Sequence, residues 1–281
     1  IDPGEARRSA LQAHVRQGLG PLGLERRADQ VTAVAELTSV AWGDVALVVE
    51  CIPENLPMKQ QLFAKLLTHA PASALLASNS SSFPISAIAQ GLDTRQRMLG
   101  LHFFMPAHLV PLVEVVCGPD SDLELADSLC AFMRGCGSVP VLVRKDKPGF
   151  LANRLQHALA REAFAMIDEG IATPEDVDAA VRFGFGFRYL AAGPVLQRDH
   201  AGLDVHCAAA ASMYPSLSST TVPAQVLQTH VDAGRLGMKT GAGFYDWPEA
   251  RRLAERARYD RLLQHGLDLL ADELPPLDKN F

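Results

Sequence analysis

The sequence predicts an α/β half followed by an all-α half, with the change of character near residue 146. Three observations predict it. Short apolar runs bounded by turn residues alternate with helix-period segments as far as Val143, the pattern of a parallel sheet covered on both faces. A charged linker, Arg144-Lys145-Asp146-Lys147, then precedes Pro148-Gly149. Beyond it the strongly patterned segments are all helical. We therefore divide the chain into residues 1–146 and 147–281.

Ile1 to Pro3 reads as the last step of a strand and Glu5 to Gln17 as an exposed helix, so a beginning is expected to be missing. Gly18-Leu19-Gly20-Pro21-Leu22-Gly23 matches the dinucleotide pattern GxGxxG letter for letter. That motif works only after a buried strand and before a helix whose N-terminus faces a pyrophosphate. This one follows a polar helix and contains proline, so it reads as a helix stop and loop.

From Val31 strands and helices alternate. Residues 44–52 (DVALVVECI) form a continuous apolar run, Pro53 to Leu56 a loop, and Met58 to His69 an amphipathic helix with Leu62, Phe63 and Leu66 on one face. The strand Ala74 to Ala77 runs into Ser78-Asn79-Ser80-Ser81-Ser82. Polar residues directly after a buried strand sit at the carboxyl edge of the sheet, where open α/β folds bind ligands; a Ser-rich helix cap reads the same way. A helical turn (Ser86 to Gln90), a helix (Ser121 to Met133) and a strand (Val139 to Val143) complete the half.

In the second half, Leu151 to Glu169 is a long helix with a predicted buried stripe of Leu155, Ala158, Leu159, Ala163, Met166 and Ile167. Thr173-Pro174-Glu175-Asp176 opens the next helix with a capping box, and Gly184-Phe185-Gly186-Phe187 breaks it. Helices follow at about Gly202 to Ala211, Val222 to Ala233 and Pro248 to Asp272, the last with a stripe of Leu253, Leu262, Leu263 and Leu269. The glycine-rich Gly237 to Tyr245 lacks GxxxxGK[ST] spacing and reads as a turn carrying an aromatic anchor.

With 281 residues, 48% of them hydrophobic, the chain is long enough for two domains with real cores. A net charge of -6 and a pI near 5.8 argue against nucleic-acid binding. No apolar run approaches the roughly 20 residues of a membrane helix and no signal peptide is read. Five cysteines without a CxxC pair read as buried thiols in a reducing compartment rather than disulfides or zinc ligands. The expectation is a cytoplasmic protein with no metal.

The chemistry concentrates in Leu99 to Val116, LGLHFFMPAHLVPLVEVV, two apolar runs with His102 closing the first and Glu114 inside the second. Histidine is the residue type whose unperturbed pKa lies near neutrality, and a carboxylate among Val and Leu needs a partner. On neighbouring strands the two would form a base and its orienter. A satisfied structural histidine beside a strand-edge glutamate fits the spacing too, as does a metal site of His102, His108 and Glu114.

Seven segments in order along almost the whole chain resemble the L-3-hydroxyacyl-CoA dehydrogenase family, including its L-gulonate 3-dehydrogenase and lambda-crystallin branch. They are VVECIPENLPMK (48–59), ASNSSS (77–82), GLHFFMP (100–106), PLVEVV (111–116), KPGFLANRL (147–155), GP with GLD (193–194 and 202–204) and GMKTGAGFYDW (237–247). The resemblance implies a Rossmann-type sheet domain, N-terminally truncated, followed by an all-helical substrate-binding and dimerisation domain. It implies NAD as cofactor, His102 as general base and Glu114 as its partner. Ser81 and Asn153 fall where the family holds the substrate oxygen and the histidine. Glu54, Lys59 and Asn79 fall where it contacts the nicotinamide and ribose end, and Asp2 where it binds the adenosine ribose. For Lys59 a solvated helix charge is the alternative.

Three departures qualify this picture. The family's opening strand, glycine fingerprint and first helix are absent from the chain as given, so weak or no NAD binding is expected; micromolar NADH binding by calorimetry would refute that. Met105 replaces the asparagine of HFFNP, removing a polar contact beside His102. Gly186-Phe187-Arg188-Tyr189 is closer to the gulonate branch, and Arg188 could pair with a substrate carboxylate or make a surface ion pair. The expected substrate is a 3-hydroxyacyl-CoA or a small hydroxy acid, with a non-catalytic crystallin-like protein as the other class. A homodimer through the helical half is expected from its abundant apolar stripes.

Overall fold

A computed structural model describes residues 1–278 as two compact units, Ile1–Leu151 with the stretch from Leu274 onward, and Ala152–Glu273. In the first unit five strands lie side by side in chain order: β1 (Leu47–Glu50), β2 (Leu75–Ser78), β3 (Met98–Phe103), β4 (Leu112–Cys117) and β5 (Val139–Val143). All neighbours pair parallel except β3 and β4, which are antiparallel. The sheet is thus parallel, as the sequence predicts, except at this one pair. Residues 104–111 are too few for a crossover, which needs a dozen or more, so the chain turns back instead.

Four helices belong to this unit: α1 (Glu5–Leu19), α2 (Leu56–Leu66), α3 (Ile85–Ile88) and α4 (Leu123–Gly135). Asn55 and Asp122 cap α2 and α4 by accepting from backbone amides of the first turn. The period-two alternation of the strands sorts the core into two layers. Leu76, Met98 and Val116 pack with Phe63, Leu66, Ile85, Ile88 and Phe150. Leu99, Leu101, Val113, Val115 and Cys117 pack with Ala126, Leu129, Cys130 and Met133 of α4. His102 and Glu114 share the parity of Met98 and Val116, so they stand on the α2 and α3 face. Gly100 is required there, because a Cβ would lie 2.8 Å from Val116 Cβ.

Other expectations are corrected. Ile1 to Pro3 is not a strand; the Asp2 amide donates to the Val34 carbonyl at 3.1 Å. Residues 31–44 form 3-10 turns rather than a strand–helix alternation, and the apolar run at 44–52 is paired only over Leu47–Glu50. Gly18 to Gly23 ends α1 and closes in a left-handed Gly23 with φ 69°, as the proline-containing loop predicts.

The second unit comprises α5 (Ala152–Asp168), α6 (Pro174–Ala180), α7 (Gly186–Arg188), α8 (Pro194–Ala201), α9 (Leu203–Met213), α10 (Gln225–Asp232) and α11 (Glu249–Leu269). Thr173 and Asp176 close the predicted capping box. A π-turn with a non-helical Gly184 marks the glycine break. Phe244, carried by the glycine-rich turn, stacks between Phe164 at 5.6 Å and His230 at 4.5 Å. The predicted stripes are only partly covered: Leu155, Leu159, Leu253, Leu262 and Leu269 are all exposed. Among the described residues every buried hydrophobic except Ala192 belongs to the first unit. An apolar cavity of about 670 Å³, lined by Leu159, Ala163, Phe164, Ile167, Val177 and Phe244, opens among these helices.

Of the five free cysteines, Cys117 and Cys130 are buried while Cys51, Cys136 and Cys207 are exposed, so burial covers fewer thiols than expected. Among the described residues no helix is long and apolar enough to cross a membrane.

Candidate active site

Antiparallel pairing of β3 with β4 sets His102 directly opposite Glu114. Their side chains meet on one face, His102 Nδ1 donating to Glu114 Oε2 at 2.7 Å, with residue exposures of 3% and 0%. Glu114 Oε1 accepts from the Leu151 amide at 3.0 Å. That amide is delivered by a tight turn in which Gly149 and Phe150 both take positive φ, 75° and 50°. Phe150 has a Cβ, so its conformation costs about 1–3 kcal/mol that the surroundings must offset. The Phe150 ring meets the His102 imidazole edge-on at 5.7 Å and Phe104 does the same at 4.7 Å. Two aromatics and a carboxylate therefore fix the ring and keep water from it.

The second imidazole nitrogen faces the serine loop after β2. Ser81 Oγ lies 2.9 Å from His102 Nε2. With Nδ1 donating to the carboxylate, neutral His102 leaves Nε2 as an acceptor for the Ser81 hydroxyl. A base with an orienter on one nitrogen and a hydroxyl on the other is arranged for proton transfer at Nε2. The reading of His102 as a structural histidine explains the carboxylate but not the strained turn and the serine.

The remaining candidates fall into three groups. Glu54 sits in the loop after β1, its carboxylate accepting from Ser80 Oγ at 2.8 Å and from the Ser81 amide at 2.7 Å. Partial burial pushes its pKa up, but the hydrogen bonds from Ser80, Ser81 and Ser82 and the Lys59 charge pull it below the ordinary glutamate value. Asn79 Oδ1 accepts from the Phe103 amide at 3.0 Å, steadying the end of β3 beside His102. Lys59 is buried, not a solvated helix charge: Nζ donates to Glu50 Oε1 at 2.8 Å, Glu50 Oε2 at 3.1 Å and the Ile52 carbonyl at 3.1 Å. Its three protons are so engaged, and Glu54 Oε2 lies 3.4 Å from Nζ as well.

Asp2 stands apart at the start of α1, where Oδ1 accepts from the Gly4 amide at 2.7 Å. That hydrogen bond is the main reason its pKa is lowered, against the opposing effect of desolvation and with a further contribution from Arg7. Asn153 and Arg188 belong to the second unit, Asn153 in the first turn of α5 and Arg188 exposed at the end of α7. His108 is exposed in the turn between β3 and β4, and among the described residues no group of three or more His, Cys, Asp and Glu side chains is placed to hold a metal ion.

The sequence reading missed Glu50, Ser80, Phe150 and the Leu151 amide. A carboxylate ending the apolar run LVVE, with a lysine nine residues on, is the signal that could have found the buried Glu50–Lys59 pair. The parallel strands β1 and β2 end side by side, with Cys51–Glu54 and Asn79–Ser82 as their polar carboxyl edge. Its donor set, an ionised carboxylate with serine hydroxyls and its lysine engaged, fits the cationic ring and ribose hydroxyls of a nicotinamide nucleotide.

Comparison with known proteins shows the family. Residues 5–147 match the family described as 3-hydroxyacyl-CoA dehydrogenase, NAD binding domain, and residues 149–247 match 3-hydroxyacyl-CoA dehydrogenase, C-terminal domain. A 3-hydroxyadipyl-CoA dehydrogenase of Escherichia coli is 36% identical over 255 residues, 90% of this chain and half of that enzyme's length. A 5-formyl-3-hydroxy-2-methylpyridine 4-carboxylate 5-dehydrogenase of Mesorhizobium japonicum is 32% identical over 75% of this chain and 70% of its own. The crystal structure of an enzyme of that name, an NAD+-dependent dismutase, superimposes with a TM-score of 0.84 at 28% identity, covering 94% of this chain and 86% of that one. The chain belongs to the 3-hydroxyacyl-CoA dehydrogenase family of NAD-dependent oxidoreductases.

Proposed function

We propose that the chain interconverts a 3-hydroxyacyl-CoA and the corresponding 3-ketoacyl-CoA, with His102 as general acid–base. The observation that carries this reading is the hydrogen-bonded line from buried Glu114 through buried His102 to the exposed Ser81. NAD, when bound, accepts or returns the hydride. His102 Nε2 takes the proton of the substrate hydroxyl in oxidation and gives it back in reduction. Glu114 holds the tautomer and balances the imidazolium charge. Ser81 steadies Nε2 and the substrate oxygen, and Phe104 and Phe150 keep the imidazole dry. On the resemblance, Asn153 adds a polar group toward the substrate, while Asp2, Glu54 and Asn79 serve the cofactor side. Such a substrate places the protein in fatty-acid metabolism. The free cysteines suit a cytoplasmic location, and the exposed apolar side chains of the second unit suit a homodimer formed through it.

The test is NADH oxidation with acetoacetyl-CoA, run on this chain and on one carrying a family-type N-terminal glycine-fingerprint unit. Turnover is expected in the latter, and His102→Ala should lower it by about 10²- to 10⁴-fold; an undiminished rate in the variant would overturn the assignment. A second reading, a small hydroxy or formyl acid as substrate, draws support from the likeness to the pyridine-carboxylate enzyme. It would be preferred if acetoacetyl-CoA were inert while a small acid turned over. Failure of both would favour the crystallin-like class.

A further inference from the structure

Glu54, in the loop after β1, gathers three consecutive residues of another loop. Its Oε1 accepts from the Ser81 amide at 2.7 Å, the Ser82 amide at 3.2 Å, the Ser80 hydroxyl at 2.8 Å and the Ser82 hydroxyl at 3.1 Å. Its Oε2 accepts from Ser80 Oγ at 3.0 Å and lies 3.4 Å from Lys59 Nζ. Behind it, Lys59 is clamped by buried Glu50, which also accepts from the Ser78 hydroxyl at 2.6 Å. The middle residue of the gathered loop, Ser81, is the one whose hydroxyl reaches His102 Nε2.

We propose that Glu54, backed by Lys59, is a positioning residue that acts on His102 through Ser81 by fixing the Ser80–Ser82 backbone. The inference rests on the acid–base role of His102 and gives Glu54 and Lys59 a task within the chain, beyond any cofactor contact. A serine hydroxyl can donate to neutral Nε2 and accept from the imidazolium. It serves both protonation states only while its backbone stays in place, and the Glu54 carboxylate holds it there.

The test uses the full chain without cofactor, so it reads independently of turnover. In nitrogen NMR of the imidazole, Ser81→Ala displaces the His102 Nε2 resonance. Glu54→Gln should displace it in the same direction and at least half as far, and the double variant no further than Ser81→Ala alone. Amide exchange at Ser81 and Ser82 should quicken about tenfold or more in Glu54→Gln. An unmoved resonance in Glu54→Gln, or additive displacements, would overturn the proposal. If Glu54→Gln does not fold, Ser80→Ala is read instead, with a smaller displacement in the same direction expected and none overturning it. Absence of acetoacetyl-CoA turnover in the chain carrying the family-type N-terminal unit would count against the proposed reaction while leaving this coupling measurable.

Discussion

At the scale of single residues, environment decides what each titratable group can do. Glu114 is fully buried but accepts from both an imidazole and a backbone amide, so its charge is distributed over two donors. Tyr245 shows the opposite pressure. Burial, then the hydrogen bond its hydroxyl donates to Asp178 Oδ2 at 2.7 Å and the charge of that carboxylate, push its pKa up from 10 to about 12. A raised folded-state pKa contributes stability that is fully present below the unfolded value and is lost as the pH rises through about 12. Ultraviolet titration should therefore find one of the four tyrosines ionising late. Asp178→Asn should bring it back toward the ordinary range; a late tyrosine that persists in Asp178→Asn would refute the assigned cause.

Elements carry two further predictions. The Lys59–Glu50 pair ties α2 to β1, and through Ser78 to β2, inside the core. Lys59→Met leaves Glu50 buried without its cation, so urea unfolding should show a loss of about 3–5 kcal/mol; a loss below about 1 kcal/mol would mean that water reaches the pair. Gly100→Ala forces a methyl against Val116 and Ile85. Overpacking of this kind costs about 1–3 kcal/mol, and an unchanged denaturation midpoint would refute it. Much at this scale was legible in the sequence: the capping box at Thr173, the helix stop at Gly18 to Gly23 and the strand Val139–Val143 follow from local chemistry. The reversed direction of β4 was not, because an apolar run has the same period whichever way it pairs. Nor was the gathering of Ser80–Ser82 by Glu54, since contacts spanning 26 to 28 residues leave no local pattern.

For the whole molecule, the contrast lies between the two units' interiors. The first has two closed core layers; the second exposes Leu155, Leu159, Phe183, Leu253 and Leu262. The helical periodicity of the α5 stripe was read correctly from the sequence, whereas Leu253 and Leu262, nine residues apart, fall on opposite sides of α11 and form no stripe; periodicity in any case names a face and not what covers it. If a second copy covers them, the melting temperature of the helical unit should rise with protein concentration while that of the sheet unit stays fixed. Concentration-independent melting of both would count against self-association. The seven matching segments include His102, Glu114 and Ser81, which lie near the end of β3, inside β4 and in the loop after β2. Lys59 was legible as a residue but not in its surroundings, since its partner Glu50 is read as part of a strand.

His102 and Glu114 are cross-strand partners, so their meeting depends on parity along the chain. An insertion or deletion in the 104–111 turn changes the loop's reach yet leaves each residue on its face as long as the pairing register is kept. One residue added inside β3 between Gly100 and His102 turns the imidazole to the opposite side of the sheet, toward Leu101 and Val113. Beyond Phe104 the turn thus tolerates changes of length, whereas the strands beside it admit them only in steps of two.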